Sequence, residues 1–393
     1  MEPIYLDHNA TAPILPAVAD AVRDALLAFP GNASSQHGPG RDARRRLEAD
    51  RERVAAMLGV DTAGPRPDRL IFTSGGTESN NLALRGVVEP LLRAGRPARL
   101  IVSAVEHPSV METASRLRER GCRVDLLPVD HEGVVRLDTL DALLAEPAGE
   151  SETLVSVMLG NNETGVLQPI EEIARRSREA GALSHTDAVQ ALGKAPVDFR
   201  RLGVSMLSLT AHKLHGPVGV GGLLVESGLK TPELLSGGWS NDRPGTSPVA
   251  LVAGLAAALE AAHNDAGRPA RMRGLRDRFE SLVTAADPQA VVVGAGAARL
   301  PHVANIAFVG LDRQVMHMAL DREAIACSTG SACASGSSEP SPVLTAMGVD
   351  NRVVGGSLRF SLGALTTERE VDEAARRISL VCKRLRGCES GRK

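Results

Sequence analysis

The sequence predicts an α/β fold, in which a large domain on a mostly parallel seven-stranded sheet is followed by a smaller α+β domain. Three observations lead to it. Seven short apolar runs alternate with helix-periodic segments over the first two thirds of the chain, as in βαβ units whose strands are buried on both faces. A glycine-rich turn, Ser74-Gly75-Gly76-Thr77-Glu78, joins the first of these runs to a helical pattern. Beyond residue 263 the alternation stops and a different arrangement of strands and helices begins.

In chain order, the strands are expected at residues 70–72, 100–103, 124–127, 154–158, 183–185, 205–209 and 220–225. Helical periodicity marks 77–93, 108–120 and 169–180 between them. The Ala- and Leu-rich segment 249–263 reads as a long helix linking two domains. Strands at 303–308 and 358–362, with helices at 315–321 and 368–385, suit the second domain. The expected division is residues 15–260 for the large domain, with residues 1–14 joining 261–393 in the small one. The Gly-, Ser- and Pro-rich run 328–342 is the most loop-like stretch, and it places Cys333 where flexibility is expected. The tail 387–393 is expected to be disordered. No internal repeat is visible.

The chain has 393 residues, 43% hydrophobic and 23% charged, with a net charge of −2. That balance excludes the basic excess of a non-specific nucleic-acid binder, and 2% aromatics leave no base-stacking platform. No apolar run is long enough to span a membrane, and Glu2 with no basic stretch after it argues against a signal peptide. Five cysteines (122, 327, 333, 382 and 388) form no tight pair, which suits free thiols in a reducing cytoplasm. No His/Cys/Asp cluster has zinc spacing, so no metal is expected. Gly219-Val220-Gly221-Gly222 is not a dinucleotide fingerprint.

Two segments carry the chemistry. Asp187 closes an apolar strand in Ser184-His185-Thr186-Asp187-Ala188-Val189-Gln190, and Lys213 follows a second in Thr210-Ala211-His212-Lys213. A lysine can form a Schiff base with a carbonyl, and an acid against a pyridinium nitrogen keeps that ring electron-withdrawing. Pyridoxal phosphate chemistry requires both. A solvated surface lysine is the alternative, but the apolar Leu207-Ser208-Leu209 and the turn from Gly216 favour a strand end facing a cleft. The turn at 74–78 offers free helix N–H groups to a phosphate, although a plain strand-to-helix connection has the same composition. Cys333 is either a small buried thiol or a nucleophile; its neighbours Ser331, Ala334, Ser335 and Gly336 supply no apolar packing.

Further segments share this pattern: Tyr5-Leu6-Asp7-His8-Asn9-Ala10-Thr11-Ala12-Pro13, Gly31-Asn32-Ala33-Ser34-Ser35, Glu106-His107-Pro108, Gly160-Asn161-Asn162-Glu163-Thr164-Gly165, Arg243-Pro244-Gly245-Thr246, Ser331-Ala332-Cys333 and Ser357-Leu358-Arg359-Phe360. Together they resemble the class V aminotransferases, which are fold-type-I pyridoxal-phosphate enzymes, and within them the cysteine desulfurase and selenocysteine lyase group. The resemblance implies that Lys213 holds the cofactor covalently and that Asp187 pairs with its ring nitrogen. Gln190 would donate to the ring 3′-oxygen, His107 would stack on the ring and exchange protons near the substrate sulfur, and Gly76, Thr77, Thr210 and His212 would hold the phosphate. Asn162, beside the cofactor, and Arg359 would take the substrate carboxylate. Thr246 would reach the cofactor phosphate of a neighbouring subunit, implying a homodimer. Cys333 would take sulfur from L-cysteine as a persulfide for a sulfur-acceptor protein, leaving L-alanine.

The implied activity is a pyridoxal-phosphate-dependent cysteine desulfurase in the cytoplasm. The alternatives are a selenocysteine lyase, or a class V transaminase or C–S lyase that does not use Cys333. Three places depart from the usual desulfurase pattern: the short loop 237–246, Gly355-Gly356 in place of a His-Ser pair, and Val218 in place of a basic residue. Arg243-Pro244-Gly245-Thr246 looks closer to the lyases, and Ser331-Ala332-Cys333 to the desulfurases. His215 has no assigned role and reads as a loop histidine, and Cys327 reads as a buried core thiol.

Overall fold

A computed structural model describes residues 2–62, 67–146, 152–229, 235, 237, 243–330 and 339–390, the side chains of 388–390 excepted. Seven strands form the main sheet in the order Arg69–Thr73, Gly221–Val225, Met206–Thr210, Leu183–Asp187, Glu152–Ser156, Ala98–Ser103 and Arg123–Leu127. All neighbours run parallel except Gly221–Val225, which is antiparallel to both strands beside it. The seven expected strands are therefore present, each within about two residues of its expected ends.

The inner strands are apolar on both faces because both are covered: Leu100, Ile101, Val102, Leu207 and Leu209 are fully buried. The helices Gly76–Arg93 and Pro108–Glu119 pack on one face, through Leu82, Leu84, Val110 and Leu117. On the other face, Ile170–Glu179 and Val249–His263 contribute Ile173, Val252 and Leu255 to a larger core. Val249–His263 is buried along most of its length, which explains its unbroken Ala/Leu composition.

A second, antiparallel sheet sets Val303–Phe308 between Ser357–Ser361 and Ala290–Val292. Its core gathers Phe279, Phe308 and Phe360, with Phe279 and Phe360 ring centroids 5.1 Å apart. The N-terminal strand Ile4–Tyr5 pairs in parallel with Ile325–Ala326, so the start of the chain lies against this region. The expected disorder of the tail is corrected in part: the last helix, Glu368–Ser390, runs through residues 387–390, its amphipathic face carrying Val371, Ile378 and Val381 into the core. The long helices Pro16–Ala28, Gly38–Met57 and Arg268–Ala286 were not anticipated. Gly38–Met57 carries ten charged residues on a mostly solvated surface, so its narrow apolar stripe (Ala43, Leu47, Val54) is easy to miss.

Candidate active site

Parallel strands bring their carboxyl ends to one edge of a sheet, where ligands gather in open α/β folds. The predicted residues sit at that edge. Asp187 is the last residue of its strand and pairs across to Ser208, while Lys213 follows the adjacent strand after Thr210. Gly76, His107 and Asn162 follow three other strands. A cavity of about 230 Å³ opens there, lined by Gly76, Thr77, His107, Asn162, Asp187, Gln190, Thr210, His212 and Lys213, together with Asn80, Ser109 and Met158.

The helix Gly76–Arg93 starts at the cavity with no side-chain cap, so its first N–H groups are free and its positive dipole end faces the space. Two glycines permit this turn. A Cβ on Gly221 would lie 2.6 Å from the Leu209 carbonyl oxygen and 2.7 Å from Gly75 Cα, and a Cβ on Gly76 would lie 2.7 Å from Val189 Cγ2. Glu78, in the first helical turn, accepts from the Ser74 N–H at 2.7 Å and from Arg243 Nε at 2.6 Å. That ion pair ties the segment before Thr246 to the helix start.

Asp187 accepts from the Val189 N–H at 2.9 Å and from Asn80 Nδ2 at 2.7 Å. Asn80 also donates to Ser109 Oγ at 2.9 Å. Both partners escaped sequence reasoning, though an asparagine on the helix face it shares with Ala83, Leu84 and Val87 was a signal. His107 caps the helix Pro108–Glu119: its Nδ1 accepts from the Ser109 N–H at 3.1 Å and contacts Ser109 Oγ at 2.8 Å. With Nδ1 an acceptor, the neutral ring carries its proton on Nε2. Burial pushes the His107 pKa down, against the pull of Asp187 and with Lys213 and Arg359 adding to it. Burial likewise lowers His212 to about 4, helped by Lys213 and Lys194. The neighbouring Glu106 is pushed up to about 8 by burial; it accepts from Ser103 Oγ at 2.6 Å and from the Met158 N–H at 2.7 Å.

Two of the predicted residues, Arg359 and Thr246, do not line this cavity. Arg359 is fully buried beside it, donating to Asp7 Oδ1 at 2.7 Å and to the Asn162 carbonyl at 3.2 Å, with Nε unpartnered. Thr246 is exposed. Cys333 lies outside the described residues, as do residues 238–242 of the loop 237–246. His215 is not a free loop histidine but a structural tie: Nδ1 donates to the Pro13 carbonyl at 2.7 Å and Nε2 accepts from the Ala364 N–H at 3.1 Å. Cys327 is a buried thiol, its pKa pushed up by burial.

The chain is similar to known proteins along nearly its whole length. A protein of Sinorhizobium fredii named cysteine desulfurase is 40% identical, covering 98% of each chain. One of Azotobacter vinelandii named cysteine desulfurase NifS is 39% identical over 98% of this chain and 94% of its own. The solved structure of a NifS-like protein from Rickettsia africae superposes with a TM-score of 0.87 at 29% identity, over 97% of this chain and 99% of its own. Residues 4–374 match the Aminotransferase class-V family, and the chain belongs to that family.

Proposed function

We propose that the chain is a pyridoxal-phosphate-dependent cysteine desulfurase, which releases L-alanine from L-cysteine and passes the sulfur, held as a persulfide on Cys333, to an acceptor protein. The observation that carries this reading is the opening of Asp187 and Lys213 onto one cavity beside uncapped helix N–H groups. The relatives named cysteine desulfurase support the substrate.

The residues present fit the cofactor. The Oδ1 atoms of Asn80 and Asn162 are buried without partners although both residues line the cavity, so a polar ligand there meets groups whose burial is otherwise uncompensated. The Asp187 carboxylate would meet the ring nitrogen, the N–H groups at Gly76 and Thr77 would meet the phosphate, with Thr210 and His212 alongside, and Lys213 would bind the aldehyde. Bound pyridoxal phosphate supplies an electron sink for the bonding pair left when a proton leaves the substrate α-carbon. Lys213 Nζ is the base that removes this proton. His107 presents its Nε2 proton to the cavity, and Arg359 with Asn162 holds the substrate carboxylate. The Cys333 thiolate attacks the substrate sulfur: an S–S bond forms as the Cβ–S bond breaks, and the released pair takes up a proton. Cysteine plus thiol thus yields alanine plus persulfide without an outside oxidant.

A homodimer belongs to this reading. Exposed Thr246, with Leu26, Leu27 and Val218 at 63%, 76% and 71% exposure, supports a face completed by a second copy. Cys122, Cys327 and Cys382 are buried free thiols, which supports the cytoplasmic placement. Among the described residues no helix is long and apolar enough to cross a membrane.

The test is alanine release from L-cysteine by the purified protein with pyridoxal phosphate, together with detection of the Cys333 persulfide. Cys333→Ser is expected to keep the cofactor's absorbance and to form no persulfide; sulfur transfer retained in that variant refutes the assignment.

A further inference from the structure

Lys194 is a buried cation that the mechanism above does not use. It is 4% exposed, and among the described residues no carboxylate lies within ion-pair distance of it. The charged and titratable groups that act on it or feel it are basic: Lys213, Arg359, His8, His212, His215 and His302. Burial, reinforced by Lys213 and Arg359, pushes its pKa down to about 7. A lysine so placed carries a large desolvation penalty, and its position calls for an explanation beyond packing.

The backbone after Asp187 turns helically, with Leu192 N–H to the Ala188 carbonyl and Ala195 N–H to the Ala191 carbonyl. Residues 190 and 194 are therefore one turn apart on one side. Lys194 Nζ donates to Gln190 Oε1 at 3.4 Å, and Gln190 Nε2 donates to the Asn9 carbonyl at 3.1 Å. Gln190 itself is buried and lines the cavity. Its amide is thus held from both ends. The oxygen faces a donor, one nitrogen hydrogen faces an acceptor, and the second nitrogen hydrogen is left for the cavity.

We propose that Lys194 is a positioning residue, fixing the Gln190 amide so that it presents a hydrogen-bond donor, and not an acceptor, to the ring oxygen of the cofactor. The inference rests on the pyridoxal phosphate reading. An amide free to turn would offer its oxygen to that ring oxygen, and the ionised form of the ring oxygen would lose a donor. Lys194 holds the donor in place whether it is an ammonium or an amine, because both carry N–H. Asp187, His107, His212 and Lys213 line the same cavity, and Lys194 interacts with His212 and Lys213, so the arginine variant, which keeps a cation at 194, separates loss of the hydrogen bond from loss of that charge.

The experiment is a pH titration of the cofactor's visible absorbance in the holoenzyme, its Lys194→Met and Gln190→Ala variants, and the double variant. Lys194→Met is expected to raise the midpoint by about one pH unit, the scale of one hydrogen bond to a charged oxygen. Gln190→Ala is expected to raise it similarly, and the double variant no further, because both changes remove one interaction. Lys194→Arg keeps a donor and is expected to titrate near the wild-type midpoint; it also carries the test if the methionine variant does not fold. Additive shifts in the double variant, an unmoved midpoint in Lys194→Met, or an arginine variant as shifted as the methionine one overturns the inference while leaving the cofactor reading intact. A wild-type protein that takes up no pyridoxal phosphate overturns both.

Discussion

Glu106 is a carboxylic acid that the fold keeps protonated, and replacing it with glutamine separates its charge from its hydrogen bonds. It is 4% exposed; Oε1 accepts from Ser103 Oγ and the Met158 N–H, and Oε2 has no partner. Burial, with Asp187 adding like charge, raises its pKa from 4.5 to about 8. The folded state binds this proton more tightly than the unfolded state. The stabilisation is therefore fully present below the unfolded pKa and is lost as pH rises through the folded one. The whole span corresponds to about 5 kcal/mol, of which about 3 kcal/mol falls between roughly pH 5 and pH 7.5. Glu106→Gln keeps an acceptor for Ser103 and Met158 but has nothing to ionise. Urea unfolding of both proteins at these two pH values is expected to show the variant gaining about 3 kcal/mol on wild type as pH rises. Titrations of the buried histidines are common to both proteins and cancel. A difference independent of pH, or one that grows in the opposite direction, refutes the claim that Glu106 is held neutral.

Two further outcomes test the fold and the anion-binding turn. Phe279→Ala removes a fully buried ring packed on Phe360 and should cost about 3–5 kcal/mol in chemical denaturation, because the surrounding core cannot close over the gap. Gly76→Ala forces a Cβ to within 2.7 Å of Val189 Cγ2 and should weaken cofactor binding by about tenfold in a spectroscopic titration, with Val189→Ala restoring much of the loss.

The elements most legible in the sequence were those set by local rules. The strand at Met206–Thr210 is a run of residues buried on both faces, and the helix at Gly76–Arg93 follows a glycine turn with 3.6-residue periodicity. Ordinary polar surfaces hid others: the stripe of Gly38–Met57 is narrow, and the strand Ala290–Val292 has three residues. In the site, Asp187 and Lys213 were readable because each ends or follows an apolar strand, and parallel strands must bring such ends to one edge. Asn80 was not, because its bond to Asp187 joins residues 107 apart in the chain and depends on how a helix sits on the sheet.

The sequence by itself determined the seven strands of the main sheet in chain order and three helices between them, the acid and the lysine at two strand ends, and the thiol at position 333. Those features follow from periodicity and turn chemistry within a few residues. Only the tertiary structure decided that Arg359 is tied to Asp7, that His215 joins the Pro13 and Ala364 segments, and that Lys194 is sealed beside Gln190 among basic groups. Charge state, tautomer and amide orientation depend on burial and on partners from distant segments, and those are fixed only when the chain has closed on itself.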